Sequence, residues 1–173
     1  MTFDLQTTLN DGLITLRPIH SDDFDELFQI ASDPLIWEQH PSRDRYLKEN
    51  FTPYFQAALD SKSGFVAIDN KTGRLIGKTR YYELNLSAHT VAIGYTFLAK
   101  EYWGGVFNRA MKTLLLNHCF QNGIRTVLFH IGVSNIRSQK AVEKLGGERI
   151  RSLERDGLPY YEFEITFEKW NIR

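Results

Sequence analysis

The chain has 173 residues, and its 21 Lys and Arg residues are balanced by 21 Asp and Glu residues, which gives a formal net charge of zero. A neutral chain has no overall field to recruit nucleic acid or an anionic membrane, and no apolar run here is long enough to cross a bilayer. The single cysteine, Cys119, excludes an intrachain disulfide and a site built on several thiolates. We therefore expect one cytoplasmic domain over residues 1–173, without a metal, nucleic-acid or membrane partner.

The first half of the chain predicts a strand, two helices and three antiparallel strands. A strand is expected over residues 13–17, and a helix follows the capping signal at 21–23 and ends before 33–34. A second helix is expected over residues 46–59, interrupted or kinked near Pro53. The antiparallel strands are residues 65–68, 75–82 and 91–98, separated by turns at 69–73 and 85–89.

The second half predicts a strand–turn–helix unit followed by a parallel strand. Two glycines, Gly104 and Gly105, follow the strand at 91–98 and precede a helix whose apolar residues recur every three or four positions. A strand at 127–132 comes next, and a connection of this length makes it parallel to the strand at 91–98. A helix to about residue 145 and a hairpin with strands at 150–153 and 160–167 complete the order β-α-α-β-β-β-α-β-α-β-β.

The strand–turn–helix unit is a typical phosphate-binding arrangement. Its turn, Trp103-Gly104-Gly105, places backbone N–H groups at the positive end of a helix dipole. The chain contains no Gly-x-x-x-x-Gly-Lys-Ser/Thr sequence, which excludes a P-loop. The turn alone does not identify the molecule that carries the phosphate.

Two strand-to-helix turns resemble those of the GCN5-related N-acetyltransferase (GNAT) family, and especially its ribosomal-protein N-terminal acetyltransferase-like branch. The resemblance covers nearly the whole chain. It implies a single-domain acyl-CoA N-acyltransferase fold of the α/β (α+β) class, with a mixed, mostly antiparallel sheet, a splayed central pair of parallel strands and helices on both faces. The motifs are Ile93-Gly94-Tyr95-Thr96 leading through Tyr102-Trp103-Gly104-Gly105 to Asn108, and Asn135-x-x-Ser138 followed by Glu143-Lys144-Leu145-Gly146.

The resemblance also implies an acetyl-CoA site between the strands at 91–98 and 127–133. Its pantetheine arm would face the backbone of Phe97 and Leu98, and Asn135 would contact the amides of that arm. The pyrophosphate would meet the turn formed by Trp103, Gly104, Gly105, Val106, Phe107 and Asn108. This turn departs from the usual family loop, because Trp103 replaces a basic residue or glutamine and a later glycine is also replaced.

Ser138 is the candidate for protonating the departing thiolate, again by resemblance. Its alternative role is that of a polar residue in the first turn of a helix capped by Asn135 or Ser134. The implied acceptor is a primary amine, either a protein N-terminus or a small molecule, that attacks the thioester directly. Its side of the cleft would be lined by Trp37, His40, Arg80 and Tyr82, although Trp37 could equally pack on the sheet edge and His40 be solvated.

The general base is left open by the sequence. Relatives often carry glutamate where this chain has Ala92 and Ala110, so a water relay or one of Glu83, Glu101 and His130 would have to replace it. The loss of both carboxylates keeps a second hypothesis open, in which the protein is a non-catalytic coenzyme A-binding sensor or scaffold. The protein is expected to be a monomer or a homodimer.

Overall fold

One mixed eight-stranded sheet organises residues 3–172, the part of the chain that the computed structural model describes. Its strands are β1 (Leu9–Asn10), β2 (Ile14–Pro18), β3 (Gly64–Asp69), β4 (Leu75–Asn85), β5 (Thr90–Leu98), β6 (Thr126–Gly132), β7 (Glu148–Arg155) and β8 (Leu158–Thr166). They lie in the order β1-β2-β3-β4-β5-β6-β8-β7. The pair β5–β6 is parallel and the other neighbours are antiparallel, which confirms the predicted class of sheet.

Helices cover both faces of the sheet, as predicted. The helices are α1 (Phe24–Ala31), α2 (Lys48–Asp60), α3 (Phe107–Gln121), α4 (Ile136–Lys144) and α5 (Phe167–Trp170). On one face, Leu27 of α1 and Phe51 of α2 form an apolar core with Phe97 of β5. On the other face, α3 and α4 pack on the sheet, and Leu115 is fully buried there.

The structure differs from the predicted elements at segment ends and in two short elements that were not predicted, β1 and α5. The last strand ends at Thr166 instead of 167, because the hydroxyl of Thr166 accepts a hydrogen bond from the N–H of Lys169 and caps α5. Strand β1 has only two residues, and an alternating pattern cannot be recognised over so short a segment. Helix α2 continues through Pro53, so the helix is not interrupted there.

Within residues 3–172, no helix combines the length and the apolar character needed to cross a membrane.

The parallel strands β5 and β6 stay paired only over their first residues. Their pairing ends at Ala92 opposite Leu128, while β5 remains hydrogen-bonded to β4 and β6 to β8. Beyond this point the facing edges of β5 and β6 carry backbone N–H and C=O groups that no neighbouring strand satisfies. The splayed central pair is therefore confirmed, and it opens a wedge in the middle of the sheet.

A β-bulge lies in β5 just beyond the point of separation. Arg80 of β4 pairs with Gly94 and Lys78 with Phe97, so that two residues of β5 face one residue of β4. Tyr95, in the bulge, adopts a φ of 53°, which L-residues rarely do. The bulge turns the end of β5 relative to the rest of the strand and is held by the side chains described below.

Candidate active site

A cavity of about 810 Å³ occupies the wedge between β5 and β6. This volume falls in the range of small-molecule and cofactor pockets. Two walls are residues 93–98 of β5 and residues 129–132 of β6. The other walls come from the turn before α3, from α4 and from the segment that follows α1.

The structure brings most of the predicted site residues to this cavity. Three of them lie outside its lining: Phe107, Arg80 and Tyr82. The ring of Phe107 instead packs edge-on against Tyr102, with 4.8 Å between the ring centroids. Arg80 and Tyr82 lie on β4 and contact residues that do line the cavity. The predicted residues that line it are Trp37, His40, Phe97, Leu98, Trp103, Gly104, Gly105, Val106, Asn108, Asn135 and Ser138.

The turn before α3 presents free backbone donors to the cavity. No side chain caps the N-terminus of α3 at Val106, so the first N–H groups of the helix lack an intrahelical acceptor. Gly104 has a φ of 69°, and a Cβ atom there would meet no other atom within 4 Å. The indole N–H of Trp103 donates to the carbonyl of Leu98 at 2.9 Å and ties the turn to the end of β5. The turn thus has the donors and the open space that an anionic group needs.

Five basic side chains that were not among the predicted site residues also line the cavity. They are Arg109, Lys112, Arg137, Lys140 and Lys144, and none forms an ion pair within the described residues 3–172. The guanidinium of Arg137 lies 3.8 Å above the ring of Trp103, so it returns a positive charge to the turn where tryptophan replaced the expected basic residue. Arg137, Lys140 and Lys144 are three and four residues apart, which places them on one face of α4. This spacing is the feature of the sequence that could have identified them.

The second strand-to-helix turn combines a structural role and a free hydroxyl. The side chain of Asn135 accepts a hydrogen bond from the N–H of Ser138 at 3.1 Å, which confirms that Asn135 caps α4. The hydroxyl of Ser138 has no hydrogen-bond partner within residues 3–172, although the residue lines the cavity. The serine side chain is therefore available to a bound molecule.

Two buried amines hold the bulge of β5 from opposite faces. On the face of α2, the carbonyl of Tyr95 accepts hydrogen bonds from the hydroxyl of Tyr54 at 2.6 Å and from Nζ of Lys78 at 3.5 Å. On the face of α3, Nζ of Lys112 donates to the hydroxyl of Thr96 at 2.8 Å. Burial lowers the pKa of Lys112 to about 7, and this residue lines the cavity. Sequence reasoning missed Lys112 because a lysine in a helix is usually solvated.

A row of polar side chains crosses the sheet at the base of the wedge. The hydroxyl of Tyr82 lies 2.6 Å from Nδ1 of His130, and Nε2 of His130 lies 2.8 Å from Oε2 of Glu162. Arg151 adds two hydrogen bonds to the carboxylate of Glu162. The row crosses β5 over Gly94, where a Cβ atom would lie only 2.9 Å from Cε1 of Tyr82.

The protonation states in this row follow from its contacts. Burial acts to raise the pKa of Glu162, but hydrogen bonds from Arg151 and His130 outweigh it and lower that pKa. The carboxylate accordingly accepts the Nε2–H of His130, and Nδ1 accepts the proton of the Tyr82 hydroxyl. Burial lowers the pKa of His130, against the opposing effect of Glu162, so the imidazole is neutral at pH 7.

Two further observations concern the cysteine and possible metal ligands. Cys119 is fully buried, and burial raises the pKa of its thiol to about 12, as expected for an inert core thiol. Among residues 3–172, no three His, Cys, Asp or Glu side chains come together as metal ligands would.

The family is decided by a match over most of the chain. Residues 14–148 match the model of the acetyltransferase (GNAT) domain. The chain belongs to the GNAT family. It is an acyltransferase, and the family to which it belongs uses acetyl-CoA. A search of curated protein sequences gave no significant match.

Solved structures of this family share the fold of the chain. A GCN5-related N-acetyltransferase from Brucella melitensis is 18% identical, with a TM-score of 0.80, over 96% of this chain and 81% of that one. RimJ of Mycobacterium smegmatis, in complex with CoA-disulfide, is 19% identical with a TM-score of 0.72, over 94% and 87%. The ribosomal-protein-S5-alanine acetyltransferase from Vibrio fischeri is 16% identical with a TM-score of 0.70, over 95% and 99%.

Replacing Lys112 tests whether it is buried beside the cavity. Its pKa is about 7 in the folded chain and 10.5 in an ordinary environment, so the unfolded chain binds more protons between these pH values. Over this window, stability should rise with pH by up to about 1.4 kcal/mol per unit from this group. Lys112→Met should therefore be more stable than the native chain at pH 7, by roughly 1–4 kcal/mol, and this gain should fade towards pH 10.

The measurement is the free energy of unfolding by urea at pH 7, 8.5 and 10. Lys140→Met serves as the control, because Lys140 is exposed on α4. A constant difference between Lys112→Met and the native chain at all three pH values would contradict the burial of an amine with a lowered pKa.

Proposed function

We propose that this acyltransferase moves an acetyl group from acetyl-CoA to a primary amine by direct attack in a ternary complex. The observation that carries the proposal is the cavity between β5 and β6, which joins free N–H groups and basic side chains to two unpaired strand edges. Bound acetyl-CoA supplies an activated thioester. The remaining requirements are to hold the coenzyme, orient the acceptor and move two protons.

The chain's residues fit coenzyme A along the length of the cavity. The turn from Trp103 to Asn108 and the basic side chains near it suit the negative charge of the phosphates. The edge of β5 that faces β6 offers backbone groups at Phe97 and Leu98 to the amides of an extended arm, apart from the Leu98 carbonyl, which already accepts the indole N–H of Trp103. Gly104 keeps the turn open to the ligand, since nothing fills the space beside it.

The proposed acceptor is a protein N-terminus or a small amine. Two proteins of similar fold are named RimJ and ribosomal-protein-S5-alanine acetyltransferase, which supports the ribosomal-protein acetyltransferase-like branch as the model for this chain. Trp37 and His40 lie on the lining at the acceptor side, with Arg80 and Tyr82 behind Tyr95 and Gly94. The aromatic rings exclude water, and the polar groups orient the amine.

His130 is the proposed general base, acting through the hydroxyl of Tyr82. Tyr82 lies behind the lining residue Gly94, so an ammonium in the cavity would pass a proton through a water molecule to Oη of Tyr82 while the phenolic proton moves to Nδ1 of His130. Glu162 stabilises the resulting imidazolium through the Nε2–H hydrogen bond. This route replaces the carboxylates that are missing at Ala92 and Ala110.

Ser138 is the proposed donor to the departing thiolate. Its hydroxyl has no competing partner in the described chain, and the cap at Asn135 fixes the first turn of α4 that carries it.

In the competing proposal the protein is a sensor or scaffold that binds coenzyme A without catalysis.

Turnover on a panel of amines separates the two proposals. The protein is mixed with acetyl-CoA and with small amines, amino acids and N-terminal peptides, and free thiol is measured. Thiol release that depends on the amine supports the enzyme. Thermal stabilisation by coenzyme A without any turnover supports the sensor, and no stabilisation by either coenzyme refutes both.

Gly104→Val should weaken coenzyme A binding by at least tenfold. Valine is strained at a φ of 69°, and its side chain would occupy the space in front of the free N–H groups. The measurement is calorimetric titration with coenzyme A. Gly73→Val is the matched control, because Gly73 has a φ of 70° and equally open surroundings in the turn between β3 and β4, which does not line the cavity. Equal affinities in both variants would overturn the placement of the pyrophosphate.

Ser138→Ala should lower kcat by about 10- to 100-fold and leave the affinity for coenzyme A nearly unchanged. Because the hydroxyl has no internal hydrogen-bond partner, the melting temperature should stay close to that of the native chain. Steady-state kinetics and thermal melting check both statements. An unchanged kcat would return Ser138 to the role of a helix residue.

His130→Gln should lower kcat by about 100-fold and remove the acid limb of its pH profile. In the native enzyme, kcat should fall as the pH drops through the pKa of His130, which lies below 6.5, because the protonated ring cannot accept a proton. Tyr82→Phe should have the same effect, since it breaks the same route at its other end. His89→Gln is the control, and an acid limb that persists in both site variants would exclude the route.

A further inference from the structure

One lining residue, His40, and two arginines that lie behind the lining form a cluster of hydrogen-bond donors that are only partly satisfied. We call His40, Arg45 and Arg80 the donor cluster. His40 lines the cavity, Arg45 contacts His40, and the guanidinium of Arg80 lies 3.9 Å above the ring of Tyr95, which also lines the cavity.

The tautomer of His40 makes its Nε2 a hydrogen-bond donor. The backbone N–H of Ser42 donates to Nδ1 of His40 at 2.9 Å. Burial, reinforced by the charge of Arg45, lowers the pKa of His40 to about 3, so the ring is neutral at pH 7. A neutral imidazole has only one acceptor nitrogen, and therefore Nε2 carries the hydrogen.

His40 and Arg45 consequently face each other as two donors. Nη1 of Arg45 lies 3.2 Å from Nε2 of His40, and a guanidinium cannot accept a hydrogen bond. Neither group satisfies the other, and Arg45 forms no ion pair within residues 3–172. An oxygen atom placed beside both would accept from each and resolve the conflict.

Arg80 is also short of acceptors. Its one hydrogen bond within residues 3–172 runs from Nη1 to the carbonyl of Ala57 at 2.9 Å, and its buried Nε has no partner. The buried amine of Lys78 belongs to the same group, because the ring of Tyr54 has Arg45 at 4.2 Å and Nζ of Lys78 at 3.9 Å from its centroid.

No carboxylate of the described chain neutralises this group. None of the ion pairs within residues 3–172 involves His40, Arg45 or Arg80, and the strand carboxylates of Glu83 and Glu162 are paired with Arg155 and Arg151. The basic groups repel one another electrostatically, since burial and then the charges of Arg80 and Arg45 lower the pKa of Lys78. Unpaired cations packed together at a ligand cavity are stabilised by an anionic ligand.

We propose that the acceptor amine carries a carboxylate that binds the Nε2–H of His40 and the guanidinium of Arg45, with Arg80 adding charge and free donors. This inference rests on the proposed acetyl transfer and names the class of its acceptor. The carboxylate is the α-carboxylate of a free amino acid or the acidic side chain of a residue near a peptide N-terminus. Both sources present the same group, and the experiment distinguishes them.

The test compares acceptors that differ only in the charge of the carboxyl group. One arm uses amino acids and their α-amides, and the other uses peptides with Glu or Gln at the second position. In at least one arm, kcat/KM should be ten times higher or more for the acid than for its amide. That ratio should fall towards one in Arg45→Gln, and it should fall partly in Arg80→Gln.

Arg43→Gln is the matched control, because Arg43 is exposed in the same loop and the substitution removes the same charge. This variant should keep the native ratio. Thermal stabilisation by the favoured acid, measured with coenzyme A present, gives a second readout that does not depend on turnover and should be lost in Arg45→Gln.

Two outcomes would overturn the proposal while leaving acetyl transfer intact. One is an enzyme that acetylates amides as well as the matching acids in both arms. The other is an unchanged ratio in both Arg45→Gln and Arg80→Gln. If one variant fails to fold, the native ratio and the other variant still decide. Failure of the proposed function itself looks different, because no amine is then acetylated.

Discussion

The early end of the pairing between β5 and β6 is the constraint on which the site depends. Backbone groups inside a protein need hydrogen-bond partners, yet from Ile93 onwards the facing edges of these two strands have none from a neighbouring strand. On their outer sides the two strands remain paired beyond this point, β5 with β4 and β6 with β8. The wedge is therefore lined by strand edges of the kind that an extended ligand with its own amides would satisfy.

The bulge at Tyr95 makes this arrangement specific. A tyrosine with a positive φ is strained by about 1–3 kcal/mol, and it persists only where the surroundings fix it. Here Tyr54 and Lys78 hold the carbonyl of Tyr95 from one face, and Lys112 holds Thr96 from the other. Buried amines are unfavourable for stability, so their presence on both sides of one bulge indicates that the position of the end of β5 matters for function.

The sequence revealed the parts of the site that depend on local geometry. The turn at Gly104 and the cap at Asn135 are set by residues a few positions apart, so their type and spacing were enough to find them. The parallel direction of β5 and β6 followed from the length of their connection, and the splayed pair followed from the resemblance. The row from Tyr82 to His130 and Glu162 could not be found this way, because it depends on the register of strands far apart in the chain.

The burial and the local distribution of charged side chains were the properties least predictable from the sequence. Lys112 in a helix and Lys78 in a strand carry no mark of burial, and the loss of the family's basic residue at Trp103 is made good by Arg137 from another helix. Neutral net charge likewise conceals the local imbalance at the acceptor side. Charges that cancel over 173 residues are distributed so that cations without acidic partners gather where the two substrates would meet.

The donor cluster and the row formed by Tyr82, His130 and Glu162 have compatible roles in the proposed mechanism. In the proposed mechanism, the donor cluster would repel an approaching ammonium unless a carboxylate on the same molecule offset the positive charge, so it would select against acceptors that carry only amines. Once such an acceptor was bound, the remaining positive charge would lower the pKa of its ammonium, as Arg80 and Arg45 lower that of Lys78. A base with a pKa as low as that of His130 would then be sufficient to take the proton in place of the carboxylates that are missing at Ala92 and Ala110.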